Sequence, residues 1–341
     1  MHIVSTIMQP PNHLAATTLD AAAWKAICSS SPSMWERLCL EGRTFAIRNG
    51  DGSMIPLSSF ADEDLPPLPD GIRSFGRFLA RNSVFANIAA RRPGREEVTF
   101  YCLLGKAHGR GFSRLLDAFL HRVGSTPMNW RRQMVVSSIR AALFDVLRSR
   151  ASQPFSFIDI GCGAGFDGLD ITRILLEAQR RGFPIPMHRI INIDIDTDWL
   201  SLNERLSSAL FSGADQDVIL RRNISIFDYL RGGTVERDIA GVSNLIVSCN
   251  GFADFCDDAS LDSLYGGISR IAAMIPGEAT VILPIATRNR SQAFFSHQVG
   301  FRYLAREKEY ILAKVAHHFP GMEISPTFAH SQVCCVISKR P

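Results

Sequence analysis

No stretch of eighteen apolar residues occurs in the sequence, so no membrane-spanning helix is expected. The opening MHIVSTIMQPPNHL has no basic segment followed by an apolar one, so no secretory leader is expected, and the cytoplasm is the default compartment. No two of the eight cysteines form a Cys-x-x-Cys pair, and none stands with histidine at zinc-finger spacing. No metal site is therefore expected, and Cys249, Cys334 and Cys335, inside apolar runs, read as reduced core residues. Lysine is scarce, five against 32 arginines, so arginine number alone is no sign of phosphate binding. There is no internal repeat and no low-complexity tract. What is present, 46% apolar and 21% charged residues in a chain of 341, is ordinary globular usage. It excludes a disordered or disulfide-scaffold protein and suffices for one large or two modest domains.

The net charge of +4 is uneven. Residues 91–150 carry +8, against −1 before them and −3 after. Such a basic belt suits nucleic acid, an acidic carrier protein or an anionic substrate, and equally the solvated face of helices.

The pattern changes near residue 150. Residues 1–150 read as a largely helical cap or lid region, and residues 151–341 as a catalytic domain. Within the first part, Asn49-Gly-Asp-Gly52 between RTFAIR and SMIPL is a hairpin signal. The acidic, proline-rich 61–71 reads as a surface loop or linker. Apolar residues at 112, 115, 116, 119 and 120 predict a helix over 111–124. Thr126-Pro127 then predicts a fresh helix start running to about Ser149. After Pro154, strands at 155–160, 189–195, 218–223, 243–250 and 279–285 alternate with helices, and two short runs, MEISP and SQVCCVISK, close the chain. That order predicts an α/β fold: a Rossmann-like, doubly wound, mostly parallel seven-stranded sheet with a C-terminal antiparallel hairpin.

The informative stretch is Phe157-Ile-Asp-Ile-Gly161-Cys-Gly163-Ala-Gly165-Phe-Asp-Gly168. Glycines at the carboxyl end of a first strand let a ligand approach the backbone. Gly163-x-Gly165-x-x-Gly168 fits the dinucleotide fingerprint, itself a weak pattern. Asp159, two residues before the first glycine, tells against that frame, because phosphates repel an acid there. A ligand with a cationic amino-acid part has a use for it.

FIDIGCGAG resembles motif I of class I S-adenosylmethionine (SAM)-dependent methyltransferases, and the likeness extends over roughly residues 150–341. The resemblance implies SAM as cofactor, with Gly161, Gly163 and Gly165 along its methionine and ribose parts and Asp159 toward its ammonium. It implies Asp194, with Asp196 in reserve, on the ribose hydroxyls. Asn223, Ser225 and Asp228 are candidates at the adenine, where the family's acid is missing. Asp194 comes 33 residues after Gly161, and QRRGFPIPMHR (179–189) is the expected insertion. After the fourth strand, Asn250 and Asp254 would face both the methionine moiety and the acceptor. N-G-F-A-D-F with C-D-D-A-S-L is similar to a bacterial small-molecule branch linked to 3-hydroxy fatty acid methyl ester synthesis, with Phe255 in place of its tyrosine. FRYLAR (301–306) is a weaker likeness.

A sulfonium favours aromatic faces, here Phe166, Phe252, Tyr101, Trp130 and Tyr303. His297 is a candidate base on the acceptor side, with Tyr303 as a further catalytic candidate. His108 and His121 lie in the lid helices, and His317-His318 closes a helix as a structural pair. The expected activity is methyl transfer to a small molecule, possible acceptors including a carboxylate or a carrier-bound group, in bacterial specialised or signal-molecule metabolism. Alternatives are SAM cyclisation to azetidine-2-carboxylate or aminocarboxypropyl transfer, both releasing methylthioadenosine. RNA methylation through the basic belt, an NAD-dependent oxidoreductase and a non-enzymatic scaffold are further ones. Against nucleic acid, no RNA-binding module or aromatic platform accompanies the arginines.

Overall fold

The computed structural model describes residues 19–61, 65–92, 96–149, 153–288, 303–340 and the short pieces 293–294 and 297–298. The N-terminal part holds helices α1 (Ala21–Ser30) and α2 (Met34–Arg37) and an antiparallel sheet of β1 (Leu38–Glu41), β2 (Thr44–Arg48) and β3 (Met54–Ser59). The hairpin expected at 49–52 joins β2 to β3, the Asn49 amide donating to the Ser53 carbonyl at 2.8 Å. Four helices follow: α3 (Ser74–Asn82), α4 (Val84–Arg91), α5 (Glu96–Leu103) and α6 (Phe112–Ser149). The segment is largely helical, as expected, with the small sheet packed among its helices.

α6 corrects one expectation. It runs for 38 residues straight through Thr126-Pro127, with no new start there. Pro127 removes one helical hydrogen bond. The fully buried Leu120, Val135 and Leu143 hold the helix on both sides of it, and Thr126 Oγ1 donates to the Arg122 carbonyl at 2.7 Å. Tertiary burial outweighs the local breaker.

The rest is the expected α/β layer. Strands β4 (Phe155–Ile160), β5 (His188–Asp194), β6 (Ile219–Asn223), β7 (Asn244–Ser248), β8 (Ala279–Ala286), β9 (Glu323–Ala329) and β10 (Gln332–Lys339) form one sheet in the order β6-β5-β4-β7-β8-β10-β9. All pairs are parallel except those of β10, which runs antiparallel between β8 and β9. Helices α7 (Phe166–Arg180), α8 (Thr197–Leu210), α9 (Gly213–Gln216), α10 (Ile226–Arg231), α11 (Gly233–Asp238), α12 (Asp258–Met274) and α13 (Lys308–His318) connect the strands. The insertion expected at 179–189 is the end of α7 and the loop into β5.

Alternation along the strands divides the core. Phe157, Ile190, Ile246 and Ile282 face one side, in one cluster with Leu143 of α6, Leu169 of α7 and Phe45 of the small sheet. Ile158, Ile191, Val247 and Leu283 face the other, against Leu230 and Leu264. The N-terminal helices thus share a core with the large sheet. β4 lies where the strand order reverses, between β5 and β7, so the loop after it opens into the crevice where ligands of such sheets bind.

Candidate functional site

β4 ends at Ile160 and α7 starts at Phe166, and the loop between them is built on glycine. Gly161, Gly163 and Gly165 have φ of 65°, 52° and 65°, in the left-handed region that side chains resist. The Gly161 and Cys162 amides donate to the Ile193 carbonyl at 3.0 and 3.1 Å and pin the loop to β5. Asp194 closes that strand. Its Oδ2 accepts the Gly163 amide at 2.9 Å and its Oδ1 the Asp196 amide at 2.9 Å. A carboxylate offers about four acceptor positions, so each oxygen keeps capacity for one more donor.

A cavity of about 690 Å³ lies over this loop. That volume is in the range of small-molecule sites, roughly 300–1,000 Å³. Its floor is the large sheet's carboxyl edge, with Asp159, Gly161, Gly163, Asp194, Ser225 and Asn250. Trp35 of α2 and residues of α4, α5 and α6 form the opposite wall, which is mainly apolar, as with Phe85, Val98, Leu103 and Met128. Phe166, Phe252 and Tyr303 also line it. Ile195, 71% exposed, stands on its rim near Phe227.

A further buried carboxylate, Asp167 in the first turn of α7, was not singled out from the sequence although it stands inside the motif. Burial pushes its carboxyl up to about 6, against the pull of the nearby Trp35 and Asn250 side chains. Asp167 Oδ1 and Trp35 Nε1 are buried beside each other on the same cavity, without a hydrogen bond of good geometry to either. Orphaned groups of this kind ask for a ligand.

Several expected site residues take other roles. Gly165 does not line the cavity. It is the N-cap of α7, and a Cβ there would stand 2.4 Å from Asn203 Nδ2 and 2.8 Å from Asn192 Nδ2. Asn223 turns back and donates to the Ile195 carbonyl at 2.9 Å. Asp228 is exposed and paired with Arg231 at 3.0 Å. His297 is exposed and does not line the cavity.

Asp254 does line it, but as part of the scaffold. Its Oδ2 is 2.5 Å from Arg131 and its Oδ1 accepts the Ala286 amide at 2.8 Å. Arg131 Nε also donates to Gln332 at 2.8 Å, so the pair ties α6 to β8 and β10. Of the aromatic candidates, Trp130 is not on the cavity wall and Tyr101 is buried on Asp117. His121 contacts the Tyr101 carbonyl at 3.1 Å, away from the cavity. His318 pairs with Asp262 at 2.8 Å, as a structural role requires. Phe301 and Arg302 of the FRYLAR run, and residues 1–18, lie outside the described residues.

Among the described residues no group of His, Cys, Asp and Glu could hold a metal ion, and no helix is long and apolar enough to cross a membrane. No cysteine is in a disulfide among the described residues, and burial raises those of the core, Cys102 to about 12 and Cys334 to about 11.

No family model matches the chain, and no curated protein does. Solved structures with a similar chain path include a putative methyltransferase from Thermobifida fusca, 14% identical, covering 73% of this chain and 96% of that one, with a TM-score of 0.49. An O-methyltransferase family protein from Burkholderia thailandensis is 11% identical over 94% of this chain and 83% of its own, with a TM-score of 0.42. A geranyl diphosphate methyltransferase in complex with SAM is 12% identical over 61% and 86%, with a TM-score of 0.39. The reading of the site rests on its own residues.

Proposed function

We propose that the chain is a SAM-dependent methyltransferase acting on a small molecule. The observation that carries this is the pairing of a positive-φ glycine loop with Asp194, whose carboxylate holds the Gly163 amide and keeps acceptor capacity toward the cavity. The cavity's chemistry fits the cofactor. Asp194 would take the ribose hydroxyls, Ile195 and Phe227 the faces of the adenine, and Asp159 and Asp167 the ammonium end. The orphaned Oδ1 of Asp167 then finds a donor. SAM, when bound, supplies an electrophilic methyl group on a sulfonium.

The chain's own part is positioning and exclusion of water. The segment before residue 150 serves as the cap, closing the site with apolar walls from α4, α5 and α6. Arg132, half-buried on the cavity wall, is in no ion pair among the described residues, whereas Arg131 is taken by Asp254 and Gln332. The acceptor this suits is a mainly apolar molecule carrying an anionic group. A carboxylate is such a group and is already ionised at neutral pH, so it needs no general base. With His297 outside the cavity and Asp254 in an ion pair, this is the acceptor chemistry the residues serve best.

Titration calorimetry with SAM, followed by identification of the nucleoside product with a panel of small carboxylic acids, tests the reading. S-adenosylhomocysteine is the expected product. Methylthioadenosine would replace methyl transfer by attack on the aminobutyrate carbon, and no heat of SAM binding would end the proposal.

A further inference from the structure

A second surface is independent of the site above. Phe75 and Phe78 of α3 and Phe112, Leu115 and Phe119 of α6 are between 44 and 72% exposed. The rings of Phe75 and Phe78 stack at 6.2 Å, and Phe78 meets Phe112 at 6.4 Å. Phe112, Leu115 and Phe119 recur at spacings that place them on one helical face. Five large apolar side chains therefore form one exposed patch across two helices, where water-soluble surfaces normally scatter such residues singly.

Cations flank the patch. At roughly 100° per residue, Arg81 adjoins Phe78 around α3, and Arg114 and Arg122 adjoin Leu115 around α6. All three are exposed, and among the described residues none is in an ion pair. Beside Phe78 and Phe112 opens a second cavity of about 630 Å³. Arg43, Arg81 and Arg110 line it together with His108, Asn82 and Ser113, and no acid does among the described residues. Apolar patch, flanking cations and basic cavity are contiguous, because Arg81 stands one turn after Phe78 and Arg110 two residues before Phe112.

We infer that this face docks peripherally on an anionic phospholipid surface. The phenylalanines and Leu115 would enter the boundary between headgroups and acyl chains, and Arg81 and Arg110 would receive a headgroup phosphate. An aromatic face rimmed by arginine is the composition that lies in a membrane interface. Charge complementarity selects an anionic partner. The exposed patch is borne on two helix faces, with the basic cavity beside it, which suits a lipid surface better than an acidic protein helix needing a groove.

Co-sedimentation of the full chain with phosphatidylcholine vesicles, with and without about 30% phosphatidylglycerol, tests this. Binding is expected only with the anionic lipid and should weaken as salt rises. F112S/L115S and R81Q/R110Q should each lower it about tenfold or more, with the melting temperature unchanged because all four positions are exposed. No binding to anionic vesicles, or binding that survives both double variants, overturns the inference. So does stabilisation by inorganic phosphate that depends on Arg81 and Arg110 without vesicle binding, since the cavity would then take a free anion. A lipid-free dimer dissolved by F112S/L115S, or a soluble acidic protein that displaces the vesicles from a higher-affinity complex, overturns it in favour of a protein partner.

Discussion

Replacing Asp167 by asparagine should move stability and cofactor binding in opposite directions. The carboxyl is buried and pushed up to about 6 from an ordinary 3.8. The folded chain therefore holds this proton more tightly than the unfolded chain does. The stability it contributes is fully present below about 4 and is lost as pH rises to about 6. At pH 8 the ionised group costs the fold on the order of 3 kcal/mol. Asparagine keeps the shape and removes the charge, but leaves amide hydrogens to be partnered. A net gain of about 1–2 kcal/mol at pH 8 is expected, fading toward pH 4. SAM affinity should fall instead. A charge-assisted hydrogen bond is worth about 1.5–3 kcal/mol, so the loss at pH 8 is roughly ten- to a hundredfold.

The pH profile separates this from a merely structural effect. Wild-type affinity should drop as pH falls through about 6, where Asp167 takes a proton, and D167N should lack that step. Denaturant melts and calorimetry across pH 5 to pH 8 read both quantities. If D167N binds SAM as tightly as wild type at pH 8, Asp167 does not face the cation. If it is less stable there, the contacts that the Trp35 and Asn250 side chains make with the carboxylate outweigh the cost of burying its charge.

Asp194→Ala should weaken SAM at least tenfold, about 1.4 kcal/mol, with the fold retained, as calorimetry would show. Gly165→Ala should instead destabilise the protein, by about 1–3 kcal/mol from its φ of 65° alone and more from the crowding of Asn203 and Asn192, read in a urea melt. Arg131→Ala strands Asp254 as a buried charge and should cost about 3–5 kcal/mol, while R131A/D254A should cost less than the two single losses together. Asp170, pushed by burial up to about 8 while accepting the Met34 amide at 2.7 Å, adds to the loss of stability between pH 4 and pH 8. Asp170→Asn should flatten that slope in melts at several pH values. A chain starting near residue 150 should be poorly soluble, because it bares the sheet face that Val135, Ile139 and Leu143 cover. A soluble, fully active product would refute the shared core.

The large sheet was legible because its signals are local. Each strand from 155 onward is a short apolar run bounded by turn residues, and β4 to β8 match those runs to within a few residues. Two kinds of feature escaped. The break expected at Thr126-Pro127 weighs a single lost hydrogen bond against nothing. In the fold it is weighed against the burial of Leu120 on one side and Val135 on the other, and burial wins. The short helices α10 and α11, six residues each, are too brief for periodicity to mark.

The site divides by sequence distance. Its glycine loop is one contiguous stretch, and Asp194 stands at a strand end, so both could be placed from pattern. Asp254 looked like a free acid beside the acceptor because its partner is 123 residues away, on α6. Arg131 in turn meets Gln332 across 201 residues. Nothing in the neighbourhood of any of the three announces the others. The consequence is chemical. Both oxygens of this carboxylate are engaged, one by an arginine and one by a backbone amide, so the ion pair that fastens α6 to the sheet also occupies the acid nearest the acceptor side. What remains on the cavity wall is its shape, the Arg132 cation, Asn250 and Tyr303, a set that would suit a nucleophile arriving already ionised.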